Sequence, residues 1–193
     1  MTRSFKNVQQ FLGRYSTGRN VILLFIITQI IYFLMLLYTI PNVMSYANGM
    51  KILDLMPTGY SADYAKRLFD ELGVAGRDYY LFRQIPLDMI YPFLYAVTYS
   101  LLLTYLFKKS FNPESKLLFL NIIPLFGGFF DYLENIGIII MLASYPNFSV
   151  LLANVTNLFS LFKSISTTLF FILLIIEIVG FIIIKFRKAQ SRK

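Results

Sequence analysis

Asp131, Glu134 and Asn135 stand inside an apolar run that extends from Leu117 to Ala143. Their spacing of three and four residues puts the three side chains on one face of a helix. A run of that length, at about 1.5 Å rise per residue, crosses a hydrocarbon layer about 30 Å thick. A charge at such depth costs roughly 2.5–3.5 kcal/mol on insertion scales, so these carboxylates need partners. A carboxyl group in apolar surroundings beside a second carboxyl is also what proton-transfer chemistry uses.

Two further stripes obey the same spacing. Asp88, Tyr91, Tyr95 and Tyr99 share a face, with Gln84 one turn earlier and Thr98 beside them. Asn157, Ser160, Lys163, Ser164, Thr167 and Thr168 form the other. Three helices thus each offer a hydrogen-bonding face, and in lipid these faces are satisfied by turning toward one another. The candidate acid/base or cation-stabilising groups are Asp131, Glu134 and Asp88, with Lys163 as counter-charge. Asn135, Tyr91, Tyr95 and Lys163 are candidate ligand contacts. Arg77, just ahead of the second apolar run, is another, because a guanidinium pairs with phosphate or carboxylate in bidentate fashion. Each has a plainer reading. Lys163 paired with Asp131 or Glu134 can serve only to fix helix register. The tyrosine stripe can be packing, and Arg77 can be a solvated loop charge beside Asp70, Glu71 or Asp78.

The elements that must position these groups follow from the hydropathy pattern. The chain has 193 residues, 57% of them hydrophobic and only 15% charged, with a mean hydropathy of +0.63. Soluble domains average about 45–50% apolar and about 25% charged residues. The excess lies in runs, which predicts an all-α polytopic membrane protein: a single domain built as a bundle of four transmembrane helices. The spans are expected at 21–41, 85–107, 116–143 and 155–184. Residues 1–20 form a basic segment that is either an amphipathic surface helix or an unstructured tail. The segment 42–84 is a polar loop carrying a helix over 61–72, with Ser61 as N-cap and Gly73 as stop. That loop helix is expected to roof a polar cavity in the outer half of the bundle, opening outward or sideways. Residues 185–193 are a basic tail. The stretch 150–184 is too long for one untilted crossing, so either the fourth helix tilts or 150–157 forms a separate interfacial piece. A cleavable signal peptide is not expected, since the first apolar run is too long and lacks a small-residue cleavage site.

Charge sets the orientation. Twelve basic residues fall on one side of the four spans: Arg3, Lys6, Arg14, Arg19, Lys108, Lys109, Lys116, Lys185, Arg187, Lys188, Arg192 and Lys193. The opposite side has five, offset by five acids. The positive-inside rule places both termini in the cytoplasm and the 42–84 loop outside, in a cell membrane. The net charge of +8 flanks apolar runs, and so speaks for a membrane surface and not for nucleic acid. With no Cys and no His, thiol nucleophiles, imidazole bases and the usual zinc sites are excluded, and no cofactor or metal is implied.

Gly59-Tyr60-Ser61, Leu72-Gly73, Gly76-Arg77, Asp88-x-x-Tyr91-Pro92-x-x-Tyr95 and Asp131-x-x-Glu134-Asn135, over roughly residues 50–165, resemble a family of small bacterial four-span membrane proteins. The resemblance implies the topology and singles out the same polar positions; it implies no activity. Three functions are open to such a chain. It can bind or act on a lipid- or isoprenoid-like molecule through carboxylate acid/base chemistry. It can be a non-catalytic accessory subunit whose polar residues are structural ion pairs. It can provide a proton or ion pathway.

Overall fold

A computed structural model describes residues 3–110 and 116–190 of the chain. Every regular element among them is helical. We number five: α1 (Arg3–Tyr15), α2 (Gly18–Tyr46), α3 (Ala62–Ser110), α4 (Leu118–Ser144) and α5 (Val150–Gln190). The last four are each long and apolar enough to span a membrane. Segments 1–2, 111–115 and 191–193 lie outside the described residues, as do the side chains of Arg3, Lys116, Arg187 and Lys188, which contribute to the orienting charge pattern.

Of the two readings of the N-terminal segment, the helix is the one observed. Leu12 packs in a small cluster with Val21 and Leu101, and Gln9 donates to the Asn121 side chain at 2.8 Å. The Lys108 ammonium donates to the Gly13 carbonyl. α1 therefore lies across the end of the bundle where α3 finishes and α4 starts.

Helix α2 does not stop at Pro41; it continues to Tyr46. The wider turn Met35–Thr39 makes this possible, with the Ile40 N–H bonding back to the Met35 carbonyl. An i→i−5 turn takes up the misfit that a proline ring otherwise imposes on the preceding turn. The same device recurs in α3. There the wide turn Tyr80–Gln84 is closed by the Ile85 N–H on Tyr80, and Pro86 follows. The two wide turns face each other, and the buried Thr39 hydroxyl meets the Gln84 amide between them.

The loop helix is not separate from the second span. Ser61 caps it as expected, accepting from the Tyr64 N–H at 3.1 Å. At Gly73 the backbone turns through φ 60° and ψ −171°, a conformation open to glycine, and the helix resumes at once and runs on to Ser110. The second span thus begins well before residue 85. Leu68, Phe69 and Leu72 on the first arm are buried with Ile52 and Leu53 from the preceding loop. At the other end of the chain, α5 is one continuous helix of 41 residues, so the break near residue 157 does not occur.

Within the bundle α3 is central. It packs against α2, α4 and α5, and α4 packs along α5. At Gly128 a β-carbon would sit 2.6 Å from the Pro92 carbonyl oxygen and 2.8 Å from the Ala96 methyl, so only glycine permits this approach of α4 to α3. The first and fourth spans, α2 and α5, share no extensive contact. Both leave large apolar side chains outward, among them Ile22, Ile30, Leu37, Ile165 and Ile175. Facing water such surfaces would be anomalous; facing lipid they are expected.

Candidate functional site

Between α2 and α5, which share no extensive contact, a cavity of about 280 Å³ opens in front of α3. Each wall comes from a different element. α2 supplies Tyr32, Met35 and Ile40; the loop supplies Asp54, Leu55 and Pro57. α3 contributes Asp88, Tyr91 and Tyr95, α4 contributes Gly127 and Asp131, and α5 contributes Lys163, Ser164, Thr167 and Thr168. The three polar stripes of the sequence therefore do converge.

At the α4–α5 side sits an ion-pair cluster. Lys163 Nζ lies 3.1 Å from Asp131 Oδ1 and pairs also with Glu134 Oε2. The other Glu134 oxygen accepts from the Ser160 hydroxyl. Asp131 is 6% exposed and Glu134 is fully buried. One ammonium is thus shared by two carboxylates one turn apart, which is the helical spacing made useful. Glu134 lies behind the wall and not on it, and it reaches the cavity through Lys163.

Asn135 has a different task. Pro92 carries no N–H, so it leaves without a helical partner the carbonyl four residues earlier, that of Asp88. The Asn135 amide donates to that carbonyl at 2.8 Å. In a bilayer no water would fill this gap, and the neighbouring helix supplies the donor. Asn135 therefore positions Asp88 and does not line the cavity. Asp88 itself is 3% exposed, and its Oδ2 has no hydrogen-bond partner among the described residues.

The tyrosine stripe builds one wall and the floor. Tyr91 lies against Tyr32 of α2, with centroids 5.8 Å apart, and against Tyr95 at 6.0 Å. Tyr95 and Tyr99 pack on Phe170 of α5, closing the cavity below. The Tyr95 hydroxyl reaches Thr167 Oγ1 at 3.4 Å. Gln29 of α2 donates to the Tyr99 hydroxyl at 2.9 Å, and Thr28 and Thr98 share a hydrogen bond at 2.8 Å.

The roof is the loop, not the loop helix. A short turn, Leu53–Leu55, presents Asp54 downward, and the buried Tyr80 hydroxyl donates to Asp54 Oδ2 at 2.6 Å. Asp54 Oδ1 is buried without a partner among the described residues. The roof is anchored to α5 through the Tyr60 N–H, which donates to Asn157 Oδ1 at 2.7 Å. Gly59 makes room for that anchor: its φ is +87°, and a β-carbon would fall 2.5 Å from the same oxygen. Tyr60 is 7% exposed, and burial, reinforced by the nearby Glu134 charge, holds its phenol above the ordinary value.

Arg77 is not brought to the cavity. Its guanidinium sits 4.0 Å from the centroid of the Tyr145 ring and donates to the Phe69 carbonyl at 2.7 Å, tying α3 to the α4–α5 turn at the surface. Glu177 of α5 is not part of the cavity lining: it is 2% exposed, and Oε2 has no partner among the described residues. Asp54 is the residue that sequence reasoning missed, having been counted among the loop acids. The available signal was its setting, Ile52-Leu53-Asp54-Leu55, an acid flanked by three apolar residues. Comparisons of the chain with protein-family models, with curated proteins and with solved structures find no match.

Proposed function

We propose that this is a multi-pass protein of the cell membrane, with both termini cytoplasmic, whose cavity takes a lipid- or isoprenoid-like molecule from the bilayer and acts on it by carboxylate acid/base chemistry. The observation that carries this reading is the position of the cavity, in the gap between the two outermost spans with carboxylates on its wall. A ligand dissolved in lipid reaches such a site sideways without crossing the aqueous phase. About 280 Å³ falls just under the usual range of small-molecule sites, about 300–1,000 Å³. It suits a head group or a short branched chain, with any longer tail left in the bilayer.

Within the cavity the roles divide by position. Asp131, held by Lys163, faces the ligand from one side, and Asp88 faces it from another. Both can exchange a proton with a bound carbon or oxygen atom, or stabilise positive charge that develops there. The rings of Tyr91 and Tyr95 add a second, weaker source of such stabilisation. Lys163 and Glu134 keep Asp131 in place.

A photoreactive isoprenoid alcohol in lipid nanodiscs tests the reading. Crosslinks are expected on the cavity walls, and Asp131→Asn and Glu134→Gln should each remove the crosslinking while the protein keeps its thermal transition. Crosslinks scattered over the outer faces of α2 and α5, equal in both variants, would refute it. A stable homo- or hetero-oligomer in native mass spectrometry, with the α2–α5 gap covered by a partner helix, would favour an accessory subunit instead.

A further inference from the structure

The cavity has two unlike poles. At the first, Asp131 and Glu134 share the ammonium of Lys163, and Ser160 completes the set. At the second, Asp54 descends from the roof and Asp88 rises from α3; among the described residues no cation forms an ion pair with either, and they feel the Lys163 charge only at longer range. Asp88 Oδ2 and Asp54 Oδ1 are buried, without a hydrogen-bond partner among the described residues, and both residues line the cavity. A buried acceptor left unmade is costly, and more so when it belongs to a carboxylate. What this pole lacks is N–H or O–H donors together with positive charge. Tyr32, Tyr91 and Tyr95 line the same cavity, and aromatic faces favour a cation.

A metal ion does not fit the arrangement. No group of three or more carboxylates among the described residues is spaced to hold one. A quaternary ammonium fits poorly as well, since it has charge but no N–H to give. An acid or a phosphate would face the carboxylates while the one lysine is already committed.

We infer that the Asp54–Asp88 pole receives the primary ammonium group of a lipid-phase amine, its N–H groups donating to the two free carboxylate oxygens and its alkyl chain leaving through the gap between α2 and α5. This assigns a ligand class to the cavity and rests on the reading that the cavity takes a lipid-phase molecule. It also gives Asp54 a reason to point inward from a loop that could have left it in water.

The test is displacement of the neutral photoreactive alcohol from wild-type protein in phosphatidylcholine nanodiscs. Competitors are dodecylamine, dodecyltrimethylammonium and dodecanol. The amine is expected to displace the probe at about a tenfold lower membrane fraction than either other compound, the scale of a charge-assisted hydrogen bond to a buried carboxylate. Asp54→Asn should remove most of that advantage while the neutral probe still crosslinks, and Asp88→Asn should remove it as well, read as the ratio of amine to alcohol displacement on whatever probe labelling that variant keeps. Equal displacement by the trimethylammonium compound would overturn the need for donors, and equal displacement by the alcohol would overturn the need for charge. An amine advantage that survives both substitutions would place the site elsewhere and overturn the assignment. If the probe labels the cavity but the amine shows no preference, only this inference falls. If no cavity labelling occurs in wild type, the lipid-phase reading falls with it. A lysophosphatidylethanolamine arm identifies the source of the amine. Displacement at the dodecylamine fraction assigns a phospholipid head group, and failure assigns a simple long-chain amine.

Discussion

Lys163 is the one cation on the cavity wall among the described residues, and it touches two buried carboxylates at once. Removing it should do more harm than removing the whole cluster. Lys163→Met strands Asp131 and Glu134 without a counter-charge, and breaking a buried pair in this way costs about 3–5 kcal/mol. Replacing all three together, with Lys163→Met, Asp131→Asn and Glu134→Gln, should recover most of that loss. Unfolding in mixed micelles would measure both. A triple variant as unstable as the single one would show that the cluster contributes more than charge balance. These partners could be read from the sequence because a helix repeats every three to four residues, so spacing alone tells which side chains share a face. Asp54 could not be read that way. A loop has no period, and whether an acid in it turns inward depends on what waits beneath, here the Tyr80 hydroxyl.

At the scale of elements, α3 and α4 are joined by a repair. Pro92 leaves the Asp88 carbonyl free, and Asn135 meets it from the neighbouring helix. The motif halves Asp88-x-x-Tyr91-Pro92 and Glu134-Asn135 are therefore one feature split between two spans. Asn135→Leu should destabilise the protein by about 1–3 kcal/mol, the cost of a buried carbonyl left unpaired. In a Pro92→Ala background the restored N–H can serve the carbonyl, and the same Asn135→Leu change should then cost little. Additive losses across that double-mutant cycle would show that Asn135 acts through some other contact. The sequence displays a proline inside the second span and a polar Asn135 in the third but not their connection, because nothing in either stretch states which helix lies opposite. The two wide turns were hidden for a related reason. Pro41 reads as a stop, and only packing of Thr39 against Gln84 shows why the helix is carried past it. Gly73 was a correct local signal with a wrong consequence: the positive φ is there, but the chain re-enters a helix immediately instead of running as a loop to residue 85.

At the scale of the whole molecule, four spans could have closed on themselves, and they do not. α3 takes the centre and leaves α2 and α5 largely apart, so Ser164 and Thr168 of the α5 polar stripe border a gap, while its other members are held by α4, α3 and the loop. That asymmetry has a direct chemical signature. The chain contains no cysteine, so a single Thr168→Cys substitution on the α5 side of the gap gives an unambiguous reporter. If the opening is toward lipid, a membrane-soluble maleimide should label this thiol readily, while a charged thiosulfonate added from either side should react at least about tenfold more slowly, since an ion reaches lipid depth only at a cost of several kcal/mol. Pre-loading with a lipid-phase competitor should slow the maleimide as well. Equal reaction with the charged reagent would mean a water-filled opening, and would turn the carboxylates from a lipid-phase binding site into part of a proton or ion route. A cysteine in the roof, Pro57→Cys, separates the two cases further, because only a site open to the outer solution lets the charged reagent reach both thiols from that one side.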